Sequence, residues 1–222
     1  MNTTTRPVGL LTAYRSTYTM KKFLPIIVVL VAGISVIYSL QGGETEEEYI
    51  ERILEERQRT EGFMRSNRES PFAPDSIAFK GLDYYTPNPD YKVRARLTPI
   101  QSQKLLQMPT STGEEKKFIR YAYADFELNG QPQRLLLLQP FDSQTMLFLP
   151  FTDATSGEET YGGGRYLDIE MPPRTGSKTI ELDFNKAYNP YCAYNASFSC
   201  PLPPKENMLD VAITAGEKAY EE

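Results

Sequence analysis

The two cysteines of the chain, Cys192 and Cys200, lie in an irregular segment, 183–204, that is rich in proline and tyrosine. Two thiols at this spacing could form a disulfide, hold a metal ion or act as a reactive site. A closed zinc site needs four nitrogen or sulfur ligands, and the 222 residues contain no histidine and no further cysteine. We therefore predict no metal at this site, which leaves the disulfide and the reactive thiol.

A long polar loop, 153–168, contains three consecutive glycines and joins two predicted strands. Loops of this length within a compact domain often carry function. Arg165 could hold a carboxylate or a phosphate through two parallel hydrogen bonds, and Tyr161 could stack on a ligand or donate to it. The alternative is a tight connection whose glycines relieve crowding and whose Arg165 pairs with a buried acid.

A ligand site would combine this loop with the segment 185–207, because both leave strands of one small sheet system. We hypothesise that Arg165 and Tyr161 meet Asp183 and Asn185 in space. The residues predicted to bind a ligand are Tyr161, Arg165, Asn185, Tyr188 and Asn189.

The absence of histidine also limits catalysis, because it excludes a Ser-His-Asp triad and a Cys-His pair. Carboxylates remain as general acids and bases, and the candidates are Asp153, Glu159 and Asp183. No calcium-loop spacing is present, and we predict neither a metal nor a cofactor.

The segment 20–43 predicts export or membrane anchoring. Lys21 and Lys22 precede a run without charge, 23–40, whose length lies between that of a secretory signal and that of a spanning helix. Basic residues precede the run and acidic residues follow it, so the body is expected in the periplasm or anchored to the inner membrane with the body outside the cytoplasm. Residues 1–19 are expected to be disordered or a mis-annotated extension ahead of a start at Met20.

This location bears on the cysteines, because thiol pairs usually oxidise outside the cytoplasm. Closing the nine-residue loop would stabilise the fold by roughly 2.5 kcal/mol. We predict a structural disulfide between Cys192 and Cys200, with reactive thiols as the alternative. The part of the chain after residue 43 has 20 basic and 29 acidic residues, and its net charge of −9 argues against nucleic-acid binding.

The elements that must position these residues are mostly strands. A capping pattern at Thr45 and Glu48 predicts a helix over 45–61. Short segments with alternating or continuous apolar residues then predict strands at 91–97, 118–128, 134–140, 145–151, 165–171, 178–184 and 208–214. We predict a mainly β domain over 44–222, a single sandwich or barrel-like fold with an N-terminal α-helix, preceded by a hydrophobic signal or anchor helix.

Four segments resemble successive signatures of one bacterial family, the domain of unknown function numbered sixteen eighty-four: "GLDYYTPNPDYKVRA", "FTDATSGEETYGGGRYLD", "LDFNKAYNPYCAYNASFSCPLPPKEN" and "AITAGEK". The resemblance spans residues 48–220 and implies an uncharacterised, often exported domain without a known activity. One departure is Tyr191 before Cys192, where the family often has proline.

We expect the domain to bind a polar small molecule or an envelope component through the loops 153–168 and 185–207. One alternative is a carboxylate-based hydrolase that works without histidine. The other is a structural module of the cell envelope.

Overall fold

The structure is a computed structural model, and it describes residues 27–30, 43–73, 78–102, 104–172 and 176–220. Residues 46–222 form one compact unit. Within the apolar run, residues 27–30 are helical and exposed. No helix among the described residues is both long and apolar enough to span a membrane. The predicted extension 1–19 and nearly all of the predicted signal or anchor 20–43 lie outside the described residues.

Helix α1, Glu46–Ser66, opens the compact unit. Three glutamates in its first turn complement the positive end of the helix dipole. Tyr49, Ile53 and Met64 are buried against the rest of the domain. The predicted helix is confirmed, but its predicted end at residue 61 is wrong, since the helix continues to Ser66. Packing of Met64 with Phe72 and Tyr194 continues the helix for a further turn.

Seven strands form one sheet, in which every pairing is antiparallel. The strands are β1 (Lys92–Pro99), β2 (Leu105–Pro109), β3 (Glu115–Leu128), β4 (Gln131–Pro140), β5 (Met146–Phe151), β6 (Arg165–Glu170) and β7 (Thr179–Asp183). Their order across the sheet is β6-β5-β4-β3-β1-β7, and β2 pairs with β3. The sheet curls into a half-barrel, so the mainly β, barrel-like prediction is confirmed. A two-sheet sandwich is not formed by the described residues.

Strand β4 is buried on both faces, as its continuous run of leucines predicts. Leu135 and Leu137 pack in one apolar cluster, and Leu136 and Leu138 pack in another on the opposite face. The hairpin from β3 to β4 turns at Asn129-Gly130, where both residues have positive φ, as the sequence of this turn predicts.

Asn207 fills a gap between β4 and β5. The only residue pair in register between these strands is Leu138 with Phe148. By the same register Leu136 would face Pro150, which has no backbone N–H to donate. The Asn207 side chain lies there instead: its Oδ1 accepts from Leu136 N at 2.6 Å, and its Nδ2 donates to Leu136 O at 3.0 Å and to Pro150 O at 2.8 Å. A side-chain amide thus replaces part of a strand ladder.

The structure differs from the strand predictions in two places, one predicted strand that is not formed and one strand that was not predicted. The segment 208–214 is not a strand, because its backbone bonds to other groups: Leu209 N–H donates to Thr152 O, and Ile213 O accepts from a buried arginine side chain. Strand β2 was not predicted, because it has only five residues and ends in proline.

Candidate functional site

Arg165 begins β6 and its side chain is fully buried. Its Nη2 donates to Asp153 Oδ2 at 2.8 Å and to Ile213 O at 2.8 Å. Its Nη1 donates to the carbonyls of Ala215 and Glu217. The guanidinium therefore joins the loop 153–168 to the C-terminal segment, which confirms the alternative in which Arg165 pairs with a buried acid.

The glycines of this loop relieve crowding, as the same alternative expects. Gly164 has a φ of +87°, and a Cβ at this position would lie 2.5 Å from Phe151 O and 2.8 Å from Pro203 Cγ. The backbone turns here because only glycine combines this conformation with this close approach. The loop is thus built as a connection that places Arg165.

Asp183 and Asn185 form a second, separate cluster around α1. Asp183 Oδ1 accepts from Tyr49 Oη at 2.8 Å and from Asn185 N at 3.1 Å. The Asn185 side chain donates to Tyr49 Oη and accepts from Asn88 N, both at 2.8 Å. The hypothesis that Arg165 and Tyr161 meet this pair gains no support from the hydrogen bonds, because Arg165 donates to Asp153 and Asp183 accepts from Tyr49.

The three carboxylates predicted for catalysis each have other contacts. Asp153 accepts from Arg165 and from Thr155 Oγ1, and Asp183 accepts from Tyr49. Glu159 is exposed and accepts from Tyr85 Oη at 3.1 Å. The structure does not bring these three acids together by hydrogen bonds, so it offers no support for an acid–base pair among them.

Tyr161 lies beside the cysteines, with its Oη 3.9 Å from Cys192 Sγ. Burial and the neighbouring Cys192 raise the pKa of Tyr161 to about 12. Both cysteines are free thiols, Cys192 half-buried and Cys200 buried. Cys192 N–H donates to Cys200 Sγ at 3.2 Å, so the two residues are in direct contact.

A pocket of about 540 Å³ lies between α1 and the segment 184–201, and its walls are mostly apolar. Ile53 and Met64 of α1 line one side, and Tyr191 and Phe198 line the other. The polar groups that reach it include two of the predicted binding residues, Asn185 and Tyr188, and several residues that were not predicted to bind: Glu56, Arg57, Tyr84, Lys116, Asp168, Lys186, Ser199 and Glu217.

Glu217 lines this pocket with a carboxyl group that is almost completely buried. Burial raises its pKa to about 7, although Tyr194 Oη and the backbone and side chain of Asn189 all donate to it. Asn189, which was predicted to bind a ligand, does not line the pocket itself but donates two hydrogen bonds to Glu217, which does. Near neutral pH this carboxyl group changes charge, which is unusual for a glutamate.

Arg57 is the half-buried cation of the pocket. Its Nη1 donates to Tyr85 O at 2.8 Å and its Nη2 to Asn185 O at 3.3 Å, while its guanidinium stacks 4.4 Å from the centre of the Tyr84 ring. No carboxylate of the described residues forms an ion pair with it, and burial lowers its pKa.

Asp168 and Tyr188 complete the polar lining. Tyr188 Oη donates to Asp168 Oδ2 at 2.8 Å. Burial raises the pKa of Asp168 and of Tyr188. The pocket therefore holds two carboxyl groups, Asp168 and Glu217, whose pKa values are raised by their surroundings.

Sequence reasoning missed Arg57 and Glu217 as site residues. Arg57 lies on a helix rich in alternating charges, a pattern typical of a solvated face. Glu217 lies in the short segment "AITAGEK", which is one of the segments that resemble the family. A single glutamate without that resemblance does not indicate a site.

A family model described as a protein of unknown function, DUF1684, matches residues 77–218. The solution NMR structure of an uncharacterized protein from Haloarcula marismortui is similar, with 39% sequence identity and a TM-score of 0.61. The match covers 78% of this chain and 95% of that one. No curated protein matches the chain.

Proposed function

This chain belongs to the DUF1684 family, whose function is unknown, and we propose that its domain binds a small molecule in the pocket between α1 and the segment 184–201. The observation that carries the proposal is the combination of apolar walls with the buried Glu217 and the half-buried Arg57 in one space of about 540 Å³. Ligand sites are typically apolar pockets of this size with a few convergent polar groups.

The lining indicates what the ligand carries. The apolar walls suit a flat or aliphatic body, and Tyr191 offers a ring to pack on it. Arg57 has no ion-pair partner among the described residues, so an acidic or strongly accepting group on the ligand would complement it. Glu217 in its protonated form would donate a hydrogen bond to the same molecule. The proposed ligand thus combines an apolar body with an acidic or accepting group, and the proposed site lies between α1 and the segment 184–201, whereas the sequence predicted a polar small molecule bound through the loops 153–168 and 185–207.

The test is native mass spectrometry of the purified full chain, with identification of any molecule that copurifies. Thr60→Phe places a ring in the pocket from α1, and we expect it to abolish copurification. Glu51→Phe, on the exposed face of the same helix, is the matched control and should retain the ligand. Retention by Thr60→Phe, or loss by both variants alike, would count against this pocket.

We further propose that the domain lies outside the cytoplasm, in the periplasm or anchored to the inner membrane. The support is the pattern of Lys21 and Lys22 ahead of the uncharged run 23–40. A reporter that is active only outside the cytoplasm, fused after Glu222, should be active. Activity of a cytoplasm-only reporter at the same position would contradict this location.

In such a compartment the proposed state of Cys192 and Cys200 is an intramolecular disulfide. Their direct contact supports it. Replacement of both cysteines by serine would then cost about 2–5 kcal/mol of stability under oxidising conditions. Free-thiol counting on protein isolated from that compartment tests it, and two freely alkylated thiols would contradict it.

A further inference from the structure

The contact between Cys192 and Cys200 is asymmetric in two respects. Cys192 is partly exposed, whereas Cys200 is 7% exposed. The Cys200 backbone is fixed beside β2, because Cys200 N donates to Ser111 Oγ at 3.1 Å and Ser111 N donates to Cys200 O at 2.8 Å. Cys192 lies in a 3-10 helix of only three residues, Tyr191–Ala193. Cys192 is therefore a partly exposed residue on a short segment, and Cys200 is a buried residue whose backbone is held beside β2.

We infer that this pair is a redox-active dithiol that exchanges with low-molecular-weight disulfides, with Cys192 as the attacking thiol and Cys200 as the resolving thiol. An accessible thiol that is stabilised as the thiolate, next to a buried second thiol, is the arrangement that thiol–disulfide exchange requires. A disulfide that served only as a staple would need neither the accessibility of Cys192 nor a difference between the two sulfurs.

Donors reach both sulfurs, because Tyr161 Oη lies 3.9 Å from Cys192 Sγ and Cys192 N–H donates to Cys200 Sγ at 3.2 Å. A hydrogen bond from the Cys200 thiol, supported by Ser111 and Tyr161, lowers the pKa of Cys192 to about 6. The hydrogen bond with Cys192 and burial raise the pKa of Cys200. Tyr161 and Tyr166 face the pair as protonated phenols, since burial raises the pKa of each, and Lys116 is the cation near Cys200.

The reaction balances without any further reactant. The Cys192 thiolate attacks one sulfur of a disulfide R–S–S–R′, the S–S bond breaks, and R–S⁻ leaves and takes up a proton. The resulting bond joins Cys192 to R′–S. The Cys200 thiol loses its proton to solvent and attacks the Cys192 sulfur, and R′–S⁻ leaves and is protonated. The protein dithiol is oxidised to a disulfide while R–S–S–R′ is reduced to two thiols, and two reduced thiols reverse the sequence.

The first test uses the reduced full chain without mutation. Iodoacetamide labelling with peptide mass analysis should modify Cys192 before Cys200, about tenfold or more faster at pH 7, with a rate that is half-maximal below about pH 8.5, the usual pKa of a free thiol. Modification of Cys200 first, equal rates, or a lack of labelling below pH 8 would overturn the inference.

The second test uses oxidised glutathione. Cys200→Ser should accumulate one mixed disulfide on Cys192, Cys192→Ser should accumulate about tenfold less in the same time, and the native chain should pass to an internal disulfide that excess reduced glutathione reverses. If the mixed disulfide does not accumulate on Cys200→Ser, or if the native disulfide resists excess reduced glutathione, the pair is not redox-active in this sense. Labelling of the unmutated chain remains decisive if a variant folds poorly.

Discussion

Asp153 and Glu217 are both buried carboxyl groups, and they differ in the charge of the groups that donate hydrogen bonds to them. Asp153 accepts from the Arg165 guanidinium at 2.8 Å and from three further donors on Thr155 and Ile213. Glu217 accepts only from neutral groups, on Asn189 and Tyr194, and its pKa is raised to about 7. The comparison distinguishes a buried carboxylate that forms an ion pair from a buried carboxyl group whose surroundings favour its protonated form.

The two carboxyl groups can be compared directly because Arg165, the partner of Asp153, also contacts the backbone of the segment that carries Glu217. Arg165 donates to the carbonyls of Ala215 and Glu217, on either side of Gly216. The same backbone segment therefore supplies acceptors to a buried ion pair and carries a buried carboxyl group that forms no ion pair with another described residue. Variants in this segment can separate the two roles.

The largest effect is expected when the buried ion pair is broken. Asp153→Ala leaves the Arg165 charge buried without its partner, and we expect a loss of about 3–5 kcal/mol in the free energy of unfolding. Glu55→Ala removes an exposed ion pair with Arg59 and should cost less than about 1 kcal/mol. Urea unfolding of both variants measures the difference. Equal costs would show that burial of the Asp153 pair has no consequence for stability.

A smaller loss is expected at the residue between the two sites. Gly216 has a φ of +79°, and a Cβ there would lie 2.7 Å from the carbonyl oxygens of Ala187 and Phe184. Gly216→Ala should therefore cost about 2–3 kcal/mol. Gly113 has a φ of +85° with nothing near its Cβ position, so Gly113→Ala measures the backbone strain alone, about 1 kcal/mol. Thermal unfolding of the two variants should rank them in this order.

The third prediction concerns Glu217 and depends on pH. Because its folded pKa of about 7 lies above the usual value of 4.5, the native state binds more protons than the unfolded state between these values. Stability should therefore fall as pH rises from 4.5 to 7, by up to about 3 kcal/mol from this group, and then level off. Glu217→Gln should remove this fall, with little change below pH 4.5.

The difference between the native chain and Glu217→Gln is the relevant quantity, since Asp168 also has a raised pKa and contributes to both curves. Urea unfolding at intervals from pH 4.5 to 8 provides it. Parallel curves for the two proteins would mean that Glu217 titrates like an ordinary glutamate.

The sequence predicted most of the sheet because its signals are local. The leucines of β4 and the Asn129-Gly130 turn need only their neighbours to specify a buried strand and a tight hairpin. The end of α1 and the loss of the strand at 208–214 needed tertiary information, since a partner far along the chain decides each. Met64 packs on Tyr194, and Ile213 O accepts from Arg165.

The candidate site was predicted only in part for a similar reason. Tyr188 and Asn185 do line the pocket, because the irregular segment that carries them forms one of its walls. Which acid Arg165 selects could not be read from the sequence, since Asp153 and Asp183 are equivalent as residue types. The raised pKa of Glu217 depends on burial, and burial is a property of the folded chain.

The amide of Asn207 between β4 and β5 has a consequence for the order of events during synthesis. A nascent chain that has already completed β6 still lacks the side chain that bonds to Leu136 and Pro150. Until residue 207 emerges, β5 and β6 can pair with each other and pack on β4 through the apolar clusters, but the hydrogen bonds from Asn207 to Leu136 and Pro150 are missing. The last hydrogen bonds between β4 and β5 therefore wait for a residue that belongs to no strand, and the domain is expected to acquire its full protease resistance late in synthesis.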